Sequence, residues 1–188
     1  MVRFIKLFKK KSTEVKSKYR VGHDTVIMQP AWVDDNCDIG KYTYIGTHSN
    51  ITKAKIGNYC SIGNFVSIGP GEHEIEAIST STHFTDGDIY EQLTKKDVTI
   101  GHDVWIGTKA IIRRGVHVGN GAIIGANSFV NHDVPDFAIV AGTPAKIIRY
   151  RFNKAKIKKI TNSGWWNCDL QEAKEIIKKL EGEAQGNV

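Results

Sequence analysis

An aliphatic residue recurs at every sixth position along most of this chain. The series runs through Val21, Ile27, Val33, Ile39 and Ile45, resumes after one shortened step at Ile56, Ile62 and Ile68, and restarts after a gap at Ile100, Ile106, Ile112, Val118, Ile124 and Val130. A glycine follows many of these residues directly, and a small or β-branched residue stands two positions before most of them. An α-helix repeats every 3.6 residues and does not carry a glycine at every sixth position. The period therefore argues against helices and predicts a stack of short strands.

Strand geometry converts this period into a solenoid. Residues i and i−2 of a strand share a face, so each unit of six gives two inward side chains and then a corner. Three such units close one triangular coil, and coils stack at the ~4.8 Å spacing of neighbouring strands. The glycines at the corners are expected to supply backbone angles that a Cβ forbids. Cys37 and Cys60 fall on inward positions, where we expect them to pack in the core.

Breaks in the period divide the chain into three parts. Residues 1–20 form a basic segment, residues 21–148 form the solenoid, and residues 149–188 form a helical region. Residues 70–97 interrupt the period with polar sequence, which predicts an excursion loop that extends from one corner of the solenoid. The helical region predicts two helices, with Asp169 as a cap of the second, and we expect both to cap the open end of the solenoid.

The positive charge of the chain is concentrated in two segments. The formal net charge is +6, and the excess of Lys and Arg lies in residues 1–20 and 146–159. Two basic segments on an otherwise acidic body predict two local anionic partners. Aromatic residues do not alternate with the basic ones as a single-strand stacking surface would require, which argues against nucleic acid as a partner.

The ends of the chain and its cysteines bear on where the protein works. No apolar run approaches the ~20 residues that cross a bilayer, and residues 1–11 lack the pattern of a secretory signal. The three cysteines lack metal-ligand spacing, so we expect a cytoplasmic protein. Two alternatives stay open for residues 1–11: a basic amphipathic helix in weak contact with the inner membrane face, or a helix packed on a neighbouring subunit.

The repeat, the run IGHDVWIG and the segment GNGAIIGANSFVNHDVPDFAIVAGTPAKIIR together resemble the hexapeptide-repeat acyltransferases. The resemblance covers roughly residues 21–148 and ends in Gly142-Thr143-Pro144-Ala145-Lys146, a signature of that family. It implies an all-β fold, a left-handed parallel β-helix of hexapeptide repeats with an excursion loop and C-terminal helices. It further implies a homotrimer that uses acetyl-CoA as co-substrate.

The resemblance also implies a donor site, carried over position by position. The residues expected to line a slot for the pantetheine arm are Thr108, Ala126, Asn131 and His132. Lys146 and Arg149 are expected to meet the phosphates of coenzyme A, in agreement with the basic block that begins at Lys146. No metal is expected, because no His, Cys or Asp cluster has ligand spacing.

The segment GPGEHEIEAIST resembles the loop that carries the catalytic base in this family. We expect His73 to be the general base and Glu76 or a backbone carbonyl to orient it, with His83 as the alternative base. A thioester is already activated, so a neutral imidazole that removes a proton from the acceptor suffices, without a covalent intermediate. The remaining histidines considered are expected to be solvent-facing corner residues: His23, His48, His102 and His117.

Two features of the sequence point to different acceptors. The tail RFNKAKIKKITNSGWWN is similar to the xenobiotic branch of the family, whereas the Ser/Thr-rich stretch AISTSTHF is more like enzymes that acetylate sugars. Our main expectation is acetyl transfer to a hydroxyl or amine of a sugar acceptor, in a surface polysaccharide or a nucleotide sugar. The alternatives are a xenobiotic O-acetyltransferase of the chloramphenicol or streptogramin type, a serine acetyltransferase or other metabolic enzyme, and a non-catalytic β-helix scaffold.

Overall fold

The computed structural model of the protein describes residues 19–84 and 87–185. The basic segment 1–11, with its two predicted settings, lies outside the described residues. Within them the strands, in chain order, are β1 (Arg20–Val21), β2 (Val26–Ile27), β3 (Trp32–Val33), β4 (Asp38–Ile39), β5 (Tyr44–Ile45), β6 (Asn50–Ile51), β7 (Ala54–Ile56), β8 (Ser61–Ile62), β9 (Ser67–Ile68), β10 (Val98–Ile100), β11 (Trp105–Ile106), β12 (Ile111–Ile112), β13 (His117–Val118), β14 (Ile123–Ile124), β15 (Phe129–Val130), β16 (Ala138–Gly142) and β17 (Ala145–Tyr150).

These strands form the three faces of a β-solenoid of about six turns. The first face contains β1, β4, β7, β10 and β13, and the third face contains β3, β6, β9, β12 and β15, all in parallel pairing. The second face contains β2, β5, β8, β11, β14 and β16, and β17 closes it by pairing antiparallel to β16. From β1 to β15 each successive strand therefore moves to the next face, as the six-residue period predicts.

The core is a set of vertical columns of aliphatic side chains. On the second face Ile45 pairs with Ile62, Ile62 with Ile106, and Ile106 with Ile124, so one residue type stacks on itself up the axis. These four side chains are buried, and so are the small inward residues such as Cys37 and Cys60. The inward packing of the aliphatic residue and of the small residue two positions before it is confirmed from Cys37 to Val130, whereas Val21 in the first coil is 40% exposed.

Most glycines that follow an aliphatic residue serve a purpose other than a left-handed backbone angle, and Gly69, with a φ angle of 64°, is an exception. Gly63 and Gly107 do not have positive φ angles; the left-handed residue of each of these corners is the second one after the glycine, for example Phe65 and Lys109. A Cβ on Gly63 would lie 2.8 Å from the backbone nitrogen of Thr108, and a Cβ on Gly107 would lie 2.6 Å from that of Ala126. The glycines are required because successive coils approach too closely for a side chain.

The corners form three edges that the following sections use. The first edge consists of residues 22–25, 40–43, 57–60, 101–104, 119–122 and 135–137, between the first and second faces. The second edge consists of residues 28–31, 46–49, 63–66, 107–110, 125–128 and 143–144, between the second and third faces. The third edge consists of residues 34–37, 52–53, 113–116 and 131–134, and the excursion leaves it between β9 and β10. The described part of the excursion contains a 3-10 turn (Thr82–Phe84) and the helix α1 (Gly87–Leu93).

Two helices follow the solenoid, α2 (Lys154–Ser163) and α3 (Leu170–Gln185), joined by a 3-10 turn at Trp165–Asn167. The Asn153 side chain caps α2 by accepting from the Lys156 N–H, and Gly164 ends it in the left-handed conformation. Asp169 precedes α3, and its carbonyl accepts the first helical bond from Ala173. Its carboxylate accepts a hydrogen bond from Lys41 Nζ at 2.6 Å, so the side chain bonds the solenoid.

The helices lie along the first edge, whereas we expected them over the open end of the solenoid. Tyr59 donates to the Cys168 carbonyl, stacks against Tyr42 and contacts Trp165 in a tilted arrangement. The Asn58 side chain donates to the Trp166 carbonyl. These contacts, with that of Lys41, involve two successive coils, in which Tyr42 and Tyr59 stack on one another along this edge. No helix within residues 19–84 and 87–185 is long and apolar enough to cross a membrane.

Candidate active site

The excursion is fastened to the third edge by the guanidinium of Arg114. Its Nη2 donates to the Thr52 hydroxyl at 2.8 Å and to the Gly69 carbonyl, and weaker contacts reach the carbonyls of Pro70 and Thr94. Gly69 and Pro70 begin the excursion and Thr94 ends it. One half-buried side chain therefore bonds the start of the loop to the solenoid and lies against its end.

A second arginine fixes the residue that precedes His73. Arg113 Nε donates to Glu72 Oε1 at 2.7 Å, and its Nη2 lies 3.3 Å from Glu72 Oε2, which makes a bidentate ion pair. The pairing with Glu72 raises the pKa of the Arg113 guanidinium. The arginine belongs to the corner directly below residues 131–134, since its N–H donates to the Val130 carbonyl. The start of the loop is thus held against the upper coils of the third edge.

His73 is exposed, and one of its ring nitrogens has a defined partner. Nδ1 lies 2.7 Å from the Thr80 carbonyl oxygen. A carbonyl can only accept a hydrogen bond, so Nδ1 carries the proton and Nε2 is left as the nitrogen that can take another. The neutral ring in this tautomer has the form that a general base requires.

Glu76 does not provide this orientation. Its side chain is exposed. The hydrogen bond that the structure shows for this residue is donated by its backbone N–H to Glu74 Oε1 at 2.9 Å. Of the two orienting groups predicted, the backbone carbonyl is the one present. His83, the alternative base, is exposed in the 3-10 turn further along the excursion.

The predicted donor residues fall on two neighbouring edges. Thr108 and Ala126 occupy the second edge in successive coils, and both are exposed. The turn between β16 and β17 continues this edge upward, because the Thr143 hydroxyl donates to the Asn127 carbonyl at 3.1 Å. The Gly142 N–H donates to the Ser128 hydroxyl at 3.1 Å. The signature turn therefore stands directly above Ala126.

Lys146 and Arg149 share one side of the sheet because of a bulge. Three residues apart, they would face opposite sides of a regular strand. The pairing of β17 with β16 shifts between Ile139 and Val140, so that Lys146 stands opposite Ala141 and Arg149 opposite Ile139. Ala141 and Ile139 are two residues apart and share a side, so both basic side chains face outward together. This arrangement can hold one doubly charged phosphate group.

Asn131 and His132 lie on the third edge, near the base of the excursion rather than beside Thr108. Within the described residues, Asn131 Oδ1 is buried and has no hydrogen-bond partner. A buried amide oxygen without a donor costs about 1–3 kcal/mol, so the position fits a ligand that brings an N–H. The pantetheine arm of coenzyme A contains amide N–H groups of that kind. His132 is exposed beside it.

One of the four remaining histidines is a structural residue and not a solvent-facing one. His102 Nδ1 accepts the Asn58 backbone N–H at 2.9 Å, and its ring stacks on Trp166 with an interplanar angle of 6°. Burial lowers the pKa of His102 below its ordinary value. The ring therefore joins two coils and the C-terminal segment in its neutral form.

Two of the thiols are core residues, and the described part of the chain contains no cluster of metal-ligating side chains. Burial raises the pKa of Cys37 and of Cys60 to about 12, which leaves both as unreactive core residues. Across residues 19–84 and 87–185, no group of three or more His, Cys, Asp or Glu side chains is placed to hold a metal ion.

The sequence did not reveal the groups that fix the loop: Thr80, Glu72, Arg113 and Arg114. Arg113 and Arg114 are adjacent at a repeat corner, and this pair was a visible signal of contacts with the loop, since a corner itself needs only small or polar residues. Their partners could not be named, because they depend on the path of an irregular loop.

Comparison with known proteins adds to this geometry. Residues 97–132 match the family model for the bacterial transferase hexapeptide (six repeats). A chloramphenicol acetyltransferase of Agrobacterium fabrum is 40% identical over 143 residues, covering 71% of this chain and 67% of the relative. One of Escherichia coli is 30% identical over 171 residues, covering 76% and 80%. A solved galactoside acetyltransferase in complex with coenzyme A superposes with a TM-score of 0.59 at 26% identity, covering 74% and 68%.

Proposed function

The chain belongs to the hexapeptide-repeat acetyltransferases and is an acetyl-CoA-dependent O-acetyltransferase, and we propose that it acetylates a hydroxyl of a chloramphenicol-type xenobiotic with His73 as general base. The observation that carries the acceptor assignment is the 40% identity over 143 residues to a chloramphenicol acetyltransferase. The sugar acceptor that the loop composition favours is supported less well, since the galactoside enzyme is 26% identical.

The surroundings of His73 support an apolar acceptor. Ile75 is 79% exposed and Ile78 is fully exposed, and both follow His73 closely in the loop. Apolar side chains in water are stabilised when a ligand or another protein surface covers them. A xenobiotic with an aromatic body would cover them while its hydroxyl approached the imidazole.

The reaction then needs few groups. Nε2 of His73 removes the proton from the acceptor hydroxyl as its oxygen attacks the thioester carbonyl carbon. The tetrahedral oxyanion collapses, the carbon–sulfur bond breaks, and the thiolate of coenzyme A leaves with the proton from the imidazolium. The Thr80 carbonyl holds Nδ1–H throughout and keeps the ring in the reactive tautomer. Thr108, Ala126, Asn131 and His132 would line the pantetheine arm, and Lys146 and Arg149 would bind phosphate.

We infer that the enzyme works as a homotrimer. Thr108 and Ala126 on the second edge are exposed on a convex corner, whereas ligand sites are concave and bury most of the ligand. A second copy would supply the missing wall. Light scattering should give about three times the chain mass of 20.9 kDa, and a stable monomer would contradict the inference.

One set of assays tests the acceptor and the base together. Release of the thiol of coenzyme A is followed with chloramphenicol and with a galactoside, each at matched concentrations. We expect a higher kcat/KM for chloramphenicol, and His73→Ala should lower kcat by about 10²–10⁴.

His83→Ala is the matched control, because it removes an exposed histidine from the same loop and should retain most activity. A preference for the galactoside would overturn the acceptor but not the base. Loss of activity in His83→Ala with an active His73→Ala would overturn the base and leave the acceptor standing.

A further inference from the structure

A cavity of about 590 Å³ lies between the C-terminal helices and the upper part of the first edge. It contains neither His73 nor any of the donor residues, which belong to the second and third edges. Its apolar wall consists of Phe137, Phe152, Ile160, Trp165, Ile177 and Leu180. The volume falls within the range of about 300–1,000 Å³ that is typical of small-molecule sites.

The apolar wall determines what can fill this space. The space is a half-open cleft, since Ala155, Lys159 and Glu181 at its rim are exposed while Phe137 and Trp165 at its base are buried. Water inside it finds few hydrogen-bond partners along rings and aliphatic side chains. An apolar body that displaced this water would gain the free energy of burial.

The polar end of the cavity is positively charged. Lys156 Nζ lies 4.7 Å from the centroid of the Phe152 ring, and the Arg151 guanidinium lies 5.1 Å from the same centroid. Both cations are therefore held over an aromatic wall of the cavity. Lys159 and Glu181 also line the rim and carry opposite charges, so they offset one another.

The carboxylate at this end offsets one of the two cations and not the other. Asp103 Oδ2 accepts from Arg151 Nη1 at 3.0 Å, and the same nitrogen donates to the Gly121 carbonyl at 2.8 Å. Burial raises the pKa of Asp103, against the opposing effect of Arg151, so the surroundings are poorly hydrated. One pair is thus neutral, and Lys156 leaves the cavity with a net positive charge facing an apolar wall.

We propose that this cavity binds a small amphiphilic carboxylate, with its aliphatic chain against the ring wall and its carboxylate at Lys156. The apolar wall and the charge of Lys156 together favour such a molecule over a neutral or cationic one of the same length. The inference is independent of acetyl transfer, because none of the residues in the proposed active site lines the cavity.

Calorimetric titration of the full chain with decanoate, 1-decanol and decyltrimethylammonium tests the proposal. Decanoate should bind with a dissociation constant below about 1 mM, a modest affinity for a ligand of this size. The alcohol should bind about tenfold more weakly, because it lacks a charge-assisted contact, and the cation should bind more weakly still.

Three variants locate the site. Ala155→Trp places a large ring at the exposed rim and should abolish decanoate binding without disturbing the core. Lys156→Glu should weaken decanoate binding at least tenfold and leave decanol unchanged. Lys154→Glu makes the same charge change on the same helix outside the cavity and should have no effect. Absence of decanoate binding, equal binding of decanol, or full binding by Ala155→Trp would each overturn the proposal, and retained acetyl transfer shows that each variant is folded.

Discussion

Replacing Arg114 with Met should open the excursion at its base while the solenoid stays folded. Met retains an unbranched apolar stem but removes the guanidinium that bonds the Thr52 hydroxyl at 2.8 Å and the Gly69 carbonyl. The contacts with Pro70 at 3.4 Å and Thr94 at 3.5 Å are long and contribute little. Two bonds therefore decide the effect.

The size of the effect depends on whether the Thr52 hydroxyl and the Gly69 carbonyl keep a hydrogen-bond partner when Arg114 is removed. A hydrogen bond to a charged group contributes about 1.5–3 kcal/mol. The Thr52 hydroxyl itself donates to the Gly69 carbonyl, so neither acceptor is left without a partner when Arg114 is removed. We therefore expect a total loss of about 2 kcal/mol for the two bonds together, which raises the opening equilibrium of the loop roughly 30-fold.

Limited digestion with a Glu-specific protease measures this opening, because the excursion contains four glutamates, Glu72, Glu74, Glu76 and Glu91. At low protease concentration the cleavage rate follows the population of the open form. Arg113→Met is the matched control: it removes an exposed ion pair worth about 0–1 kcal/mol, so cleavage should rise no more than about fivefold. Equal cleavage of Arg114→Met and the unmodified protein would refute the reasoning, and digestion of the solenoid would show that the loss is not local.

Two further predictions concern the donor site and the first edge. Lys146→Ala and Arg149→Ala should each raise the KM for acetyl-CoA about tenfold with little change in kcat, because phosphate contacts far from the thioester contribute uniform binding; an unchanged KM would contradict the assignment. The free energy of unfolding, from urea titration, should fall as the pH drops below about 6.5, because the unfolded chain then binds a proton that neutral His102 excludes. The free energy of unfolding of the His102→Gln variant should fall less over the same pH range, and an equal fall would assign the effect to other groups.

The period of six predicts most of the fold, because in a solenoid each coil contacts its neighbours and every repeat has the same geometry. The inward positions of Ile45, Ile62, Ile106 and Ile124 could be predicted from the period, and the structure stacks them in one column. The period does not predict the structure of the segments that depart from it, which are the excursion and the C-terminal helices. The course of the helices along the first edge depends on the contact of Tyr59 with Trp165, two residues far apart in sequence.

The candidate site shows the same division between repeat and exception. Thr108 and Ala126 could be placed one above the other, because the register of the coils fixes them. Lys146 and Arg149 share a side only because of the bulge opposite Ile139, and a bulge is a local irregularity that no periodic pattern contains. The partner of His73 Nδ1 is likewise a carbonyl in an aperiodic loop, and a backbone carbonyl has no signature in the sequence.

The three edges of the solenoid have different surroundings, and this difference indicates where a second copy would bind. The helices cover the first edge, so a neighbouring chain has the second and third edges and the third face between them. The second face presents Trp105, 56% exposed, to solvent, and the third face presents Trp32, 56% exposed, and Ile111, 40% exposed. Apolar side chains of this size on a regular face favour contact with another protein surface. A copy seated on the third face would cover Trp32 and Ile111 and would bring a wall to Ala126 on one side and to Asn131 on the other, so the same contact would bury the apolar face and enclose the donor site.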